Sequence, residues 1–168
     1  MSNVIIGIVI LVFIYIFVIY NILVSRKNKI KQATSTIDVY LTQRFDLIPN
    51  LVECVKAYAA HEKEMFIKIT ELREQYMINK NNKTAEEIEI QCEKIMLVAE
   101  SYPELKASEH FLDLQKKLAK IENQLQAARR IYNMEINSYN NTVETFPSNF
   151  IANLFGFRKE EFFKAEEK

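Results

Sequence analysis

The chain has 168 residues, with 22 basic and 22 acidic side chains, two cysteines, three prolines, two glycines and no tryptophan. That length suits one domain with an appendage. Two glycines exclude a phosphate-cradling Walker loop and a dinucleotide-binding G-x-G-x-x-G turn, two cysteines exclude a disulfide framework, and zero net charge offers no basic excess for nucleic acid.

So little glycine and proline also argues against strands joined by tight turns, which leaves an all-α class. Val4 to Val24 is apolar except for Gly7 and Asn21. At about 1.5 Å per residue those 21 residues span about 31 Å, close to the hydrocarbon core of a bilayer. Arg26, Lys27, Lys29 and Lys31 follow directly, with no acidic residue before Asp38. Basic residues stay on the cytoplasmic side, so the expected topology is a single pass through the cell membrane, N-terminus outside and bulk inside. A cleaved signal peptide would need a basic start, a shorter apolar core and a small-residue cleavage site, and none is present. Three regions follow: residues 1–25 as short external N-terminus and anchor, 26–146 as a cytoplasmic helical bundle, and 147–168 as a Phe-rich tail.

From Ile30 to Tyr76 apolar residues recur at intervals of three and four: Ile30, Ile37, Leu41, Ile48, Leu51, Val55, Tyr58, Met65, Ile69, Leu72 and Tyr76. This is the stripe of an amphipathic helix, interrupted by Arg44 and Glu62. Pro49 fits only a first helical turn, so Asp46 is expected to cap a new helix behind it. Thr84-Ala-Glu-Glu87 has capping-box spacing and opens a stripe of Ile88, Cys92, Ile95, Ala99 and Tyr102 that Pro103 ends. Phe111, Leu118, Leu125, Tyr132, Tyr139 and Phe146 then repeat every seven residues, interleaved with Leu114, Ile121 and Ala128, up to Pro147. A heptad seam of this length wants a long antiparallel neighbour or a second copy of itself. The expected helices are thus 26–45, 46–78, 84–102 and 108–146, an up-and-down antiparallel four-helix bundle. In the tail, Phe150, Phe155, Phe157, Phe162 and Phe163 would form an oily face at helical spacing, with Arg158, Lys159 and Lys164 nearby. That face would either fold back onto the bundle or lie among lipid headgroups.

Reactive constellations are few. His61-Glu62 lacks the second histidine of H-E-x-x-H. Cys54 and His61 lie about 10 Å apart along a helix, too far to share a zinc ion easily, so no metal or cofactor is expected. No cysteine or serine carries a nearby His-and-acid pattern, and paired carboxylates such as Glu86-Glu87 read as solvated faces. The unusual feature is polar residues beside apolar stripes: Arg44, Glu62, Arg129, Arg130, Asn133, Asn137, Asn140 and Asn141. Inward-facing ones should pair with one another or with Asp46 and Glu135, either fixing helix register or lining a polar groove.

These residues also form an ordered pattern. Arg44-Phe-Asp-Leu-Ile-Pro-Asn-Leu-Val52, Tyr58-Ala59 with His61-Glu62, Tyr102-Pro103, Arg129-Arg130 with Tyr132-Asn133, Tyr139-Asn140, Phe146-Pro147 and Gly156-Phe157 together make the chain resemble the LemA family of bacterial membrane proteins. The resemblance runs from about residue 20 to 163. It departs at Thr34-Ser35, where such proteins often carry a tryptophan. It implies an N-terminal anchor with a cytoplasmic up-and-down helical bundle, no established catalytic set, and an accessory role in the cell envelope. The motif positions it singles out include Arg44, Asp46, Pro49, Asn50, Asn133 and Asn140, which look like a cap, a kink and a polar layer.

The reading is a non-enzymatic, single-pass scaffold or adaptor in an envelope process, with the lipid bilayer and one or more protein partners, and no nucleic acid. Homo-oligomerisation through the 108–146 seam is compatible with it. A rival is a lipid-binding or membrane-shaping protein acting through the juxtamembrane basic cluster and the tail. A further rival is an enzyme or regulator with a pocket on the Arg129, Asn133 and Asn140 face.

Overall fold

In the computed structural model residues 1–163 are described, and their regular structure is entirely helical: α1 (Ser2–Phe45), α2 (Ile48–Lys56), α3 (Lys63–Asn79), α4 (Asn82–Glu100), α5 (Pro103–Lys106), α6 (Glu109–Glu144) and α7 (Ser148–Leu154). They form two compact units, one of Met1–Thr36 with the chain from Ala127 onward, the other of Ile37–Gln126. The all-helical class expected from the sequence is what the chain adopts.

The first unit holds the N-terminal part of α1, the one helix among the described residues long and apolar enough to cross a membrane. Its first part is bare of protein: Val4, Leu11 and Phe13 are each about two-thirds exposed, as a lipid-facing helix should be. From Ile16 onward one face of the same helix is packed, while Phe17 and Val18 on the other stay exposed. Leu23 and Ile30 join Ile136, Tyr139 and Val143 of α6 and Ile151 and Ala152 of α7 in one buried cluster, with Ile16, Ile19, Tyr132 and Phe157 against it. The seven-residue repeat holds here at Tyr139 and fails at Phe146, which is exposed.

The second unit confirms most of the predicted stripe and corrects its continuity. Ile37, Leu41, Ile48, Leu51, Val55, Ile69, Leu72 and Tyr76 are buried, as are Ile88, Cys92, Ile95 and Ala99 of α4. The expected 46–78 helix is, however, two helices, α2 and α3, separated by residues 57–62. A continuous helix would carry Glu62 onto the apolar face. The break leaves Glu62 exposed and brings Ala59 and Phe66 into the core, while Tyr58 is exposed and Met65 half-buried. A charge is thereby kept in water at the cost of a few helical hydrogen bonds.

Two predicted caps also move. Pro49 does sit in the first turn of α2, where its missing N–H is not needed, but the cap position is Leu47, which makes no side-chain cap bond. Asp46 instead takes a hydrogen bond from Arg73 Nη2 at 3.0 Å, and Arg73 Nε donates to the Phe45 carbonyl at 2.9 Å. A guanidinium thus satisfies the carbonyl end of α1, where a positive charge is favoured. At α4 the cap is Asn81, whose side chain accepts from the Lys83 N–H at 3.0 Å, so that helix starts before Thr84.

The Phe-rich tail is helical only over α7. Beyond it Phe155, Phe157, Phe162 and Phe163 lie on non-helical chain, so no continuous oily helix face forms; Lys164 lies outside the described residues. The exit from α7 has a local cause. Gly156 has φ of 73°, and its N–H reaches Asn153 O at 3.2 Å while Phe157 N–H reaches Ala152 O at 2.9 Å. This is a glycine-terminated Schellman ending, which turns the chain away from the helix axis.

Candidate functional site

The sequence-selected polar residues separate into two groups. In the second unit, Arg44 is mostly buried and its Nη1 meets Glu89 Oε1 at 3.2 Å and Glu122 Oε2 at 2.5 Å. Its partners are therefore carboxylates of α4 and α6, not Asp46 or Glu135. Pro49 and Asn50 are exposed on α2. Asn50 lines a groove of about 550 Å³ together with Cys54, Tyr58, His110, Asp113 and Lys117. A thiol, an imidazole and a carboxylate on one groove invite a nucleophile reading, but the chemistry runs the other way. Burial, with the charge of Glu53, pushes the Cys54 thiol up, so it is protonated near neutral pH. Asp113 is held by Lys117 at 2.7 Å on the same helix face. Among the described residues no cluster of three or more His, Cys, Asp or Glu could hold a metal ion.

In the first unit, Asn133 and Asn140 are the centre of a different arrangement. Each side-chain amide pairs with both main-chain groups of a single tail residue. Asn140 Nδ2 donates to the Glu160 carbonyl at 2.9 Å, and the Glu160 N–H donates to Asn140 Oδ1 at 3.0 Å. Asn133 Nδ2 donates to the Phe163 carbonyl at 3.1 Å, and the Phe163 N–H donates to Asn133 Oδ1 at 2.8 Å. The registers match: seven helical residues rise about 10.5 Å, and three extended residues cover about 10 Å. Asn140 is buried. The Arg129 guanidinium lies 4.8 Å from the Phe163 ring centroid, a favourable cation–ring stack.

Four such hydrogen bonds contribute about 0.5–1.5 kcal/mol each. Fixing the backbone of one residue costs about as much, so the amides alone cannot hold the segment. Aromatic contacts supply the rest. Tyr20 of α1 packs against the rings of Phe155 and Phe157 at centroid distances of 4.9 and 5.8 Å. Lys27 pairs with Glu160 at 3.5 Å with both side chains substantially exposed, which adds little. Burial, then the charge of Glu160, pushes the phenols of Tyr132 and Tyr139 above the usual tyrosine range.

The juxtamembrane cluster is thus partly committed. Arg26 contacts the Ser138 hydroxyl and Lys27 contacts Glu160, while Lys29 and Lys31 stay exposed. Beside them, α7 presents Phe150 and Leu154 to the outside, with Phe146 stacked edge-on against Phe150 at 6.0 Å. Arg130, Asn137 and Asn141 are exposed and contribute nothing to the amide pair. Sequence reading missed Glu160 and Phe163 as the partners of the asparagines. The available signal was the repeated Tyr-Asn dipeptide, Tyr132-Asn133 and Tyr139-Asn140, seven residues apart.

Residues 33–168 match the LemA family. The chain is 28% identical over 152 residues to Protein LemA of Metamycoplasma hominis, covering 88% of this chain and 69% of that protein. It is also 27% identical over 71 residues to Magnetosome proteins MamQ 1 and MamQ 2 of Paramagnetospirillum magneticum, covering 42% of this chain and 26% of each of them.

Proposed function

The chain belongs to the LemA family, and from that premise we propose that it is a non-enzymatic adaptor of the cell envelope. A single N-terminal helix holds it in the cell membrane, and an up-and-down helical body on the cytoplasmic side recruits a protein partner. The observation that carries this reading is the use of Asn133 and Asn140. The polar groups most available for a pocket on α6 grip the main chain of a peptide segment, which is recognition chemistry. The orientation rests on Arg26, Lys27, Lys29 and Lys31 following the apolar span.

The test is affinity capture of the tagged full-length protein from native membranes in mild detergent. A stoichiometric partner that is lost when Arg129 and Asn133 are both replaced by alanine supports the adaptor. Reproducible turnover by the purified protein, abolished by a single point change, overturns it.

A second reading, a lipid-binding role, has its own observation in the exposed Phe146, Phe150, Leu154 and Phe155 beside the packed part of α1. It places the α7 face, rather than a helical tail, in the headgroup region of the inner leaflet. Brominated-lipid protection or spin-label depth measurement at Phe150 would show burial in lipid if it holds and full water exposure if it fails.

A further inference from the structure

The contact between α6 and the tail has the properties of a bound ligand rather than of a core. Its four amide hydrogen bonds, and a long one from the Tyr132 hydroxyl to the Glu161 carbonyl at 3.5 Å, go entirely to tail main-chain atoms, so they read an extended backbone and ignore the side chains at those positions. Selectivity comes from three side chains spaced by three: Phe157 against Tyr20, Glu160 beside Lys27, and Phe163 over Arg129. Of the residues between them, Lys159 pairs with Glu144 of α6, both side chains being largely exposed, so that contact adds little. Arg158, Lys159, Glu161 and Phe162 are exposed. The segment begins at Gly156, where an added Cβ would meet nothing within 4 Å, although the flanking Phe155 and Phe157 pack on Tyr20.

We infer that the α6 face carrying Arg129, Asn133 and Asn140 is a docking groove for an extended peptide segment of a partner protein, with an aromatic residue, an acidic residue three positions on and a second aromatic six positions on, and that the chain's own tail occupies it as a resident self-ligand. This rests on the adaptor reading and names the partner's chemistry. Paired amide-to-backbone contacts repeated at a helical interval bind any extended chain of the right direction, and the aromatic and acidic anchors restrict the choice. Because Lys27 lies within a few residues of the apolar span, the partner segment must itself lie close to the membrane. A tethered tail competes at an effective concentration in the millimolar range, so the groove favours a partner that is co-localised in the bilayer over one arriving from solution.

The test uses the full-length chain in nanodiscs and a fluorescent peptide with the sequence of residues 155–163. The peptide should bind the Phe163→Ala chain, whose own tail has lost its stack on Arg129, at least tenfold more tightly than the unmodified chain. The same peptide N-methylated at the positions of Glu160 and Phe163 lacks the two donors and should lose at least tenfold in affinity, a comparison that leaves the protein unaltered. Equal binding of the methylated and plain peptides, or no binding to the Phe163→Ala chain, overturns the groove. A dimer of the unmodified chain that the peptide converts to monomer overturns the partner assignment and gives the groove to the tail of a second copy. A partner captured from membranes despite a failed peptide experiment would leave the adaptor standing on another surface.

Discussion

Arg44 was visible in the sequence as a charge on an apolar stripe, and its inward placement follows from that periodicity. Its partners did not, because Glu89 and Glu122 come from helices 45 and 78 residues further along the chain. Removing the guanidinium leaves two carboxylates facing the space it filled. Arg44→Ala should lower unfolding free energy by about 2 kcal/mol, and the triple change of Arg44→Met with Glu89→Gln and Glu122→Gln should recover most of it; denaturant titration in detergent measures both. Tyr76 makes a pH prediction. It is 1% exposed, its ring meets Phe45 edge-on at 4.7 Å, and its hydroxyl has no hydrogen-bond partner. Burial, then the charge of Asp38, pushes its phenol up to about 12. The folded chain keeps this proton while the unfolded chain releases it near pH 10, so stability is intact below pH 10 and falls as pH rises toward 12. Tyr76→Phe should flatten that alkaline limb in melting curves and be near neutral at pH 7.

At the scale of elements, the helices were legible and their ends were not. A stripe of apolar residues reports burial, and the stripes at 30–55 and 88–99 did so faithfully. It cannot report where a chain leaves the helix to keep Glu62 in water, nor that Asn81 outcompetes Thr84 as a cap. The two ends with a left-handed residue offer a matched pair of tests. Lys80 closes α3 with φ of 45°, a conformation that costs a residue with a Cβ about 1 kcal/mol. Lys80→Gly should therefore raise stability by roughly that amount. Gly156 closes α7 with φ of 73° in open space, so Gly156→Ala meets no steric clash and should cost about 1–2 kcal/mol through backbone conformation alone. Its effect should concentrate in the tail: amide exchange at Glu160 and Phe163 should accelerate while exchange within α3 and α4 is unchanged. The amide pair itself was half legible. Two asparagines one heptad apart were singled out, but nothing local in a sequence marks an extended segment as their ligand.

At the scale of the whole molecule, the two thiols report both folding and sidedness. Cys92 is buried, and its thiol is pushed up to about 11, chiefly by burial; Cys54 is only half-buried. A maleimide at pH 8 should label Cys54 first and reach Cys92 only on unfolding. With the proposed orientation, an impermeant maleimide should label neither in intact cells and Cys54 once the cells are opened.

The bare stretch of α1 has a consequence for the membrane itself. Val4 to Tyr15 is 12 residues, about 18 Å of helix, which is far less than the thickness of the hydrocarbon core. On the lipid-binding reading and with the proposed orientation, the outer leaflet would meet one slender helix, whereas the inner leaflet would meet that helix flanked by α7 and its outward Phe150 and Leu154. On that reading the cross-section of the first unit would be larger in one leaflet than in the other. Each copy displaces unequal lipid area on the two sides, so a dense population would relieve its packing stress where the inner monolayer is the expanded one.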